Sequence, residues 1–215
     1  YQMASATEFK NRLIPIAGFN PKEYKNAREL EVNLREIKKI GYKGIKIHPR
    51  YSSINLDIDK RILIETFNIA SDLKIPVFLC SYYHTQANKF PTKEPLISLA
   101  QIFKDTPDCK IILLHGGGVR VLEYMEFVRF NQNILLDLSL TLMKYAGSSI
   151  DIDLKYLFNN FDRRICIGSD HPEWELKDFK RKVSDLCKGL PKHKVNNLTY
   201  LNLSSFLNIN LGPTS

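Results

Sequence analysis

CKIILLHGGGVRVLEYMEFVRFNQNILLDLS (109–139) is the stretch that decides the fold. Its two ends, KIILLHG (110–116) and NILLDLS (133–139), are short, apolar and rich in branched side chains. Near-continuous apolarity over the length of a strand suits strands covered on both faces. Between them, residues 119–130 read as a short helix. Strand, helix and strand in this order imply two parallel strands joined by a right-handed crossover.

The same alternation continues in both directions. RLIPIAGF (12–19), YKGIKIH (42–48), IPVFLCS (75–81) and RICIGSD (164–170) are the other strand-like segments. From Glu23 to Ile40, Ala27, Leu30, Leu34 and Ile37 step by three and four, as a one-sided helix does. Ile58, Ile62, Phe67, Ala70 and Leu73 do so between Asp57 and Leu73, and Leu176, Phe179, Val183, Leu186 and Leu190 further on. Segments 94–105 and 151–160 are shorter helices, and Val195 to Ile209 is a closing helix. Pro21 and Pro95 mark helix N-termini, and Asp57 is an N-cap. Strands are therefore predicted near 13–18, 43–48, 76–80, 111–115, 134–138 and 165–169, parallel and adjacent in order. No GxGxxG follows the first strand, which argues against a dinucleotide-binding sheet. Polar residues gather at the C-terminal ends of several strands, which fits an α/β TIM (β/α)8 barrel. Six of its eight strands are visible, so the first two βα units are expected before Tyr1. Residues 1–11 then read as the tail of a helix, and 1–215 as a single barrel domain. An open barrel exposes strand edges, so the chain alone is expected to be unstable or to associate, a homo-oligomer being one form of this.

The totals narrow the function. With 215 residues, 44% hydrophobic and 25% charged, the chain suits a globular domain. No segment is long and apolar enough to span a membrane, and the opening YQMASATEFKNR lacks a signal-peptide pattern. The net charge of +8 is spread along the chain, and its densest runs, RKVSDLCKG (181–189) and PKHKVNN (191–197), read as solvated helix faces. Nothing interleaves aromatic and basic residues as single-strand binders do, so a nucleic-acid partner is not expected. Cys80, Cys109, Cys166 and Cys187 form no CxxC pair, which leaves free thiols in a cytoplasmic protein. Cys109 and Cys187 are expected to be bystanders.

In a parallel barrel, strand C-termini converge on one mouth. The groups there are Asn20; Lys46 and His48; Cys80 and Ser81, with His84 beyond; His115; Asp137 and Ser139; and Asp170 with His171. Each has a plain structural role to set against a functional one. A strand-end His is often a hydrogen-bonded packing residue, and Lys46 could snorkel to solvent. Asp137 could cap the next helix, and Asp170 the helix starting near Glu173. Taken together they are harder to dismiss. Of only five histidines, His48, His115 and His171 end or follow strands and His84 lies just beyond one. His115 and Asp170 carry the functional reading furthest.

GYKGIKIHP (41–49), IPVFLCS, CKIILLHGGG (109–118), NILLDLS and RICIGSDHP (164–172), in this order, resemble the later strands of the amidohydrolase-2 family. That family includes the aminocarboxymuconate-semialdehyde decarboxylase-like enzymes. The ending KVNNLTYLNLSSFLNI (194–209) is similar to the family's last helix, so the resemblance runs from about Arg12 to Ile209. It implies one divalent metal, usually zinc, held by a His-x-His pair, a fifth-strand His and an eighth-strand Asp. A sixth-strand His serves acid–base or substrate chemistry. Carried over, Asp170 matches the eighth-strand Asp and His115 the sixth-strand His. The sequence departs twice. The His-x-His pair is absent, and Cys80 stands at the fifth-strand His place in PVFLC. Cys80 could serve as a thiolate ligand, His84 could fold back instead, or no metal binds.

The resemblance implies hydrolysis of a C–N or ester bond, or non-oxidative decarboxylation, of a small anionic substrate. Asp170 would orient or deprotonate a metal-bound water, and His115 would donate a proton or polarise the substrate. Lys46, His48, Arg50, Arg120 and His171 are the candidates to hold that substrate. The alternative is a metal-free, degenerate barrel that binds a small molecule or a partner.

Overall fold

The computed structural model describes residues 13–86 and 92–210. The helix tail expected over residues 1–11 lies outside them. In chain order the elements are β1 (Ala17–Gly18), α1 (Ala27–Ile40), β2 (Ile45–Ile47), α2 (Lys60–Asp72), β3 (Val77–Cys80), α3 (Pro95–Lys104) and β4 (Ile111–Leu114). There follow α4 (Val121–Arg129), β5 (Ile134–Asp137), α5 (Ser139–Lys144), α6 (Ile150–Asn160), β6 (Ile165–Cys166), α7 (Leu176–Cys187), α8 (Lys192–Asn196) and α9 (Asn202–Phe206). The strands form one parallel sheet in the order β1-β2-β3-β4-β5-β6, as expected. Two compact units divide the chain, Tyr1–Ile111 and Ile112–Ser215, and each is described by itself.

In the first unit, β1, β2 and β3 pair in register, Ala17↔Ile45↔Val77 and Gly18↔Lys46↔Phe78. Directly paired residues share a face of a sheet. One face is therefore the fully buried row of Ile45, Ile47, Val77 and Leu79, joined by Ala17. The other carries exposed Gly18 and half-buried Lys46 and Phe78. The helices supply buried Leu30 and Leu34 from α1 and Leu63, Phe67 and Ala70 from α2. Each such leucine or phenylalanine contributes about 1.5–3 kcal/mol by leaving water.

The helix ends follow side-chain chemistry. Pro21 opens a short 3-10 turn, Pro21–Glu23, capped by Asn20, whose side chain accepts from the Lys22 amide. This turn is why α1 begins at Ala27 rather than Glu23. Asn26 caps α1 by accepting from the Glu29 amide at 3.0 Å, and Gly41 ends it at φ 113°. Pro95 opens α3 as expected. Asp57 does not cap α2. Asn55 Oδ1 accepts from the Asp57 and Ile58 amides, and Asp59 precedes the helix. The Asp57 carboxylate instead accepts from Ser98 Oγ at 2.5 Å and Thr92 Oγ1 at 3.1 Å.

In the second unit, β5 and β6 pair as Leu136↔Ile165 and Asp137↔Cys166. Arg164 Nη2 donates to the carbonyls of Asn131 and Ile134, each at 2.6 Å, which ties the turn after α4 to the start of β5. The closing segment is not one regular helix. Between α8 and α9 lies a π-helical stretch, Asn197–Leu201. Its wider turn brings residues five apart onto one side. Asn197 Nδ2 donates to Asp162 Oδ2 at 2.6 Å, and Asn202 Nδ2 donates to the carbonyls of Asp162 and Ile165 at 2.6 and 2.7 Å. The Leu198 carbonyl accepts from the Ile167 amide at 3.2 Å. Strand pairing therefore ends at Cys166, earlier than the expected 169.

Candidate active site

At the end of β4 the chain makes a turn that three glycines allow. His115, Gly116, Gly117 and Gly118 have φ of 71°, 54°, 70° and 64°. Glycine enters the left-handed region freely; a histidine there is uncommon and strained. A side chain at 117 would run into the Tyr124 ring, and one at 116 would stand 2.8 Å from Leu138 Cδ2. The close turn leaves His115 5% exposed.

The end of β5 and the start of α5 grip this histidine. The His115 amide donates to Asp137 Oδ1 at 3.3 Å, and Thr141 Oγ1 donates to the His115 carbonyl. His115 Nδ1 lies 3.0 Å from Ser139 Oγ, which donates to Asp137 Oδ1 at 2.5 Å. The Ser139 amide reaches the same oxygen at 3.2 Å. Asp137 and Ser139 are each 7% exposed. Burial pushes the Asp137 carboxyl above its ordinary range, while the Ser139 hydrogen bond and the nearby His115 pull it back. Cys166 Sγ donates to Asp137 Oδ2 at 3.9 Å, and burial together with this carboxylate holds the thiol well above its usual range.

The exit of β6 passes the same pair. A side chain at Gly168 would stand 3.4 Å from Ser139 Cβ and 3.7 Å from Asp137 Oδ2. Two residues on, half-buried Asp170 has a left-handed φ of 52°. Its carbonyl accepts from the Glu173 amide, but α7 starts only at Leu176, behind Glu175. Asp170 therefore caps no helix. His171 is exposed, its amide donating to Ser169 Oγ. Arg120 makes a two-nitrogen ion pair with Glu123 at 2.9 and 2.6 Å.

The first unit gathers positive charge at its strand ends. Lys46 is half-buried on β2. His48 Nδ1 accepts from the Tyr51 amide at 3.3 Å. Arg50 lies 4.8 Å over the Tyr82 ring and donates from Nη1 to the His84 carbonyl at 3.3 Å, while its buried Nε meets no acceptor among the described residues. Cys80 is fully buried, and burial raises its thiol pKa against the pull of the Tyr82 carbonyl, Arg50 and Lys46. His84 is exposed beside the Tyr82 ring. Cys109 is buried and pushed up to about 12, and Cys187 sits at the end of α7. Among the described residues, no group of three or more His, Cys, Asp or Glu side chains could hold a metal ion.

Parallel strands in sequential order, separated by helices and carrying polar groups at their C-terminal ends, define a TIM-barrel-type α/β protein. Residues 1–191 match the family described as amidohydrolase, and the chain belongs to that family. Its fold is similar to an uncharacterised TIM-barrel protein from Bordetella bronchiseptica, with TM-score 0.76 and 19% identity, covering 96% of this chain and 70% of that one. It is also similar to dihydroorotase from Campylobacter jejuni, with TM-score 0.66 and 16% identity, covering 92% of this chain and 65% of that one. A protein from Lactobacillus casei assigned as a metal-dependent hydrolase gives TM-score 0.62 and 14% identity, covering 90% and 65%. The chain thus spans about two thirds of the length of these structures. No curated protein matches the sequence significantly.

Proposed function

We propose that this chain forms most of the catalytic barrel of a cytoplasmic, zinc-dependent amidohydrolase that acts on a small anionic substrate. The supporting observation is the buried hydrogen-bonded row His115–Ser139–Asp137 at the C-terminal ends of β4 and β5. A histidine held by a hydroxyl and a carboxylate is equipped to take and return a proton. His115 fills that role, and Asp170 is the second catalytic group. Lys46 and Arg50 hold a substrate carboxylate, a role suited to an ammonium and a planar guanidinium. His48, His171 and Arg120 are the remaining candidates for substrate contacts, Arg120 by exchanging Glu123 for substrate.

The metal comes with the family. Asp170 is a suitable oxygen donor and Cys80 a buried sulfur donor, but the described residues do not complete a ligand set. The hydrolytic default is cleavage of a C–N or ester bond; decarboxylation is the other reaction of the class. Cys80 also favours a second reading, a metal-free barrel that only binds such anions.

The experiment is metal analysis of the full-length protein, followed by assay with zinc or manganese against small cyclic amides, lactones and unsaturated carboxylates. We expect about one metal equivalent and turnover that falls at least ~100-fold in His115→Asn. Binding of carboxylates without metal or turnover would replace the first reading by the second.

A further inference from the structure

The segment Asp137-Leu138-Ser139-Leu140-Thr141 touches His115 at three separate atoms. Asp137 receives its amide, Thr141 donates to its carbonyl, and Ser139 meets its ring at Nδ1. From these contacts we propose that Asp137, Ser139 and Thr141 are positioning residues that lock His115 into its left-handed backbone and into the Nδ1–H tautomer.

The direction of the hydrogen bonds follows from what each atom can do. Asp137 Oδ1 receives two backbone amides, from His115 and Ser139, and an amide can only donate. That oxygen is therefore an acceptor, and the 2.5 Å contact to Ser139 Oγ uses the hydroxyl's single proton. Ser139 Oγ must then accept from His115 Nδ1. The neutral ring carries its proton on Nδ1 and its lone pair on Nε2. If the ring gains a second proton, Asp137 balances the charge through Ser139. Cys166, the other titratable group against Asp137, stays a neutral thiol because burial raises it.

The backbone contacts serve the same end. A histidine at φ 71° is held there only if its surroundings over-determine it. Asp137 and Thr141 grip the peptide groups on either side of its Cα. The three residues are spaced two apart where β5 passes into α5, so one short turn presents all three to one neighbour. Ser139 thereby decides which ring nitrogen meets a reacting group.

The catalytic meaning rests on the function proposed above, but the geometry can be tested without turnover. Nitrogen-15 histidine NMR on the full-length protein reads the tautomer of each ring, and the resonance that His115→Asn removes is that of His115. At a pH where His115 is neutral, we expect the Nδ1–H form. Ser139→Ala should shift it towards Nε2–H, and Ser139→Thr, which keeps the hydroxyl, should restore it. Thr141→Val should leave the tautomer unchanged and lower the melting temperature by a few degrees. An Nε2–H form in the wild type, or a tautomer that ignores Ser139→Ala in a protein with native-like spectra, overturns the proposal. If Ser139→Ala does not fold, the wild-type and Ser139→Thr spectra still decide it. An Nδ1–H ring in a protein without turnover would refute the enzymatic reading and leave the positioning role intact.

Discussion

Asp170 is the residue on which structure and chemistry separate most cleanly. Asp and Asn tolerate the left-handed backbone better than other side chains with a Cβ, so Asp170→Asn fits the φ of 52°. The helix-capping role that would have explained Asp170 structurally is absent, because α7 begins six residues later. Asn cannot accept a proton as a base. We therefore expect Asp170→Asn to keep the melting temperature of the metal-free protein within a few degrees and to abolish nearly all turnover or metal affinity. Normal turnover with metal bound would remove Asp170 from the catalytic set. The sequence exposed Asp170 and His115 because each stands where an apolar run breaks into Gly-containing turns. It placed Asp137 and Ser139 at a strand end but did not couple them to His115. That coupling depends on β5 lying against the turn after β4, with a residue spacing that has no helical or strand signature. The left-handed His115 was equally hidden, since GGG announces a turn without saying that the residue before it joins in.

At the scale of elements, the strand order was legible and the strand ends were not. Apolar runs mark where a strand is buried, but pairing stops where backbone donors find other partners. Pro15 has no amide to give, so β1 pairs only from Ala17 on, although the Pro15 carbonyl still accepts from Lys43. α5 went unseen because six residues are too few for a helical period, and the π-helical stretch because its spacing differs from 3.6. Charge pairing between helices was also beyond the pattern. Lys182 on α7 donates to Asp151 on α6 at 2.6 Å, with side chains 16% and 24% exposed. Burial raises the Asp151 pKa, but Lys182 and the Gly147 amide at 2.8 Å outweigh it and hold the carboxyl below its ordinary range. Asp151 also sits in the first turn of α6, where negative charge is favoured. A depressed carboxylate pKa stabilises the fold above the unfolded value and loses that effect as pH falls through the folded one. Asp151→Asn should cost about 1 kcal/mol at pH 7, or roughly 2–4 °C in melting temperature. The difference from wild type should close as the pH drops below the ordinary Asp range. A pH-independent difference would mean that the ion pair contributes nothing.

At the scale of the whole molecule, the less buried sheet face of the first unit governs how the chain behaves in water. Gly18, Lys46 and Phe78 form a row across β1, β2 and β3, and among the described residues nothing stands within 4 Å of where a Gly18 side chain would be. Leu13 and Ile14, just before β1, are 41% and 45% exposed. In the sheet, β1 pairs with β2 alone among the described residues. A strand edge beside exposed apolar side chains invites pairing with another chain. We therefore expect residues 1–215, produced alone, to associate. Sedimentation velocity should show a mass that rises with protein concentration, and Leu13→Lys with Ile14→Lys should reduce it, because charge on an edge opposes pairing. Cooperative urea unfolding of a strictly monomeric 1–215, unchanged by the lysines, would mean that this face and edge are stable in water. The six-stranded sheet would then be self-sufficient rather than part of a larger closed barrel.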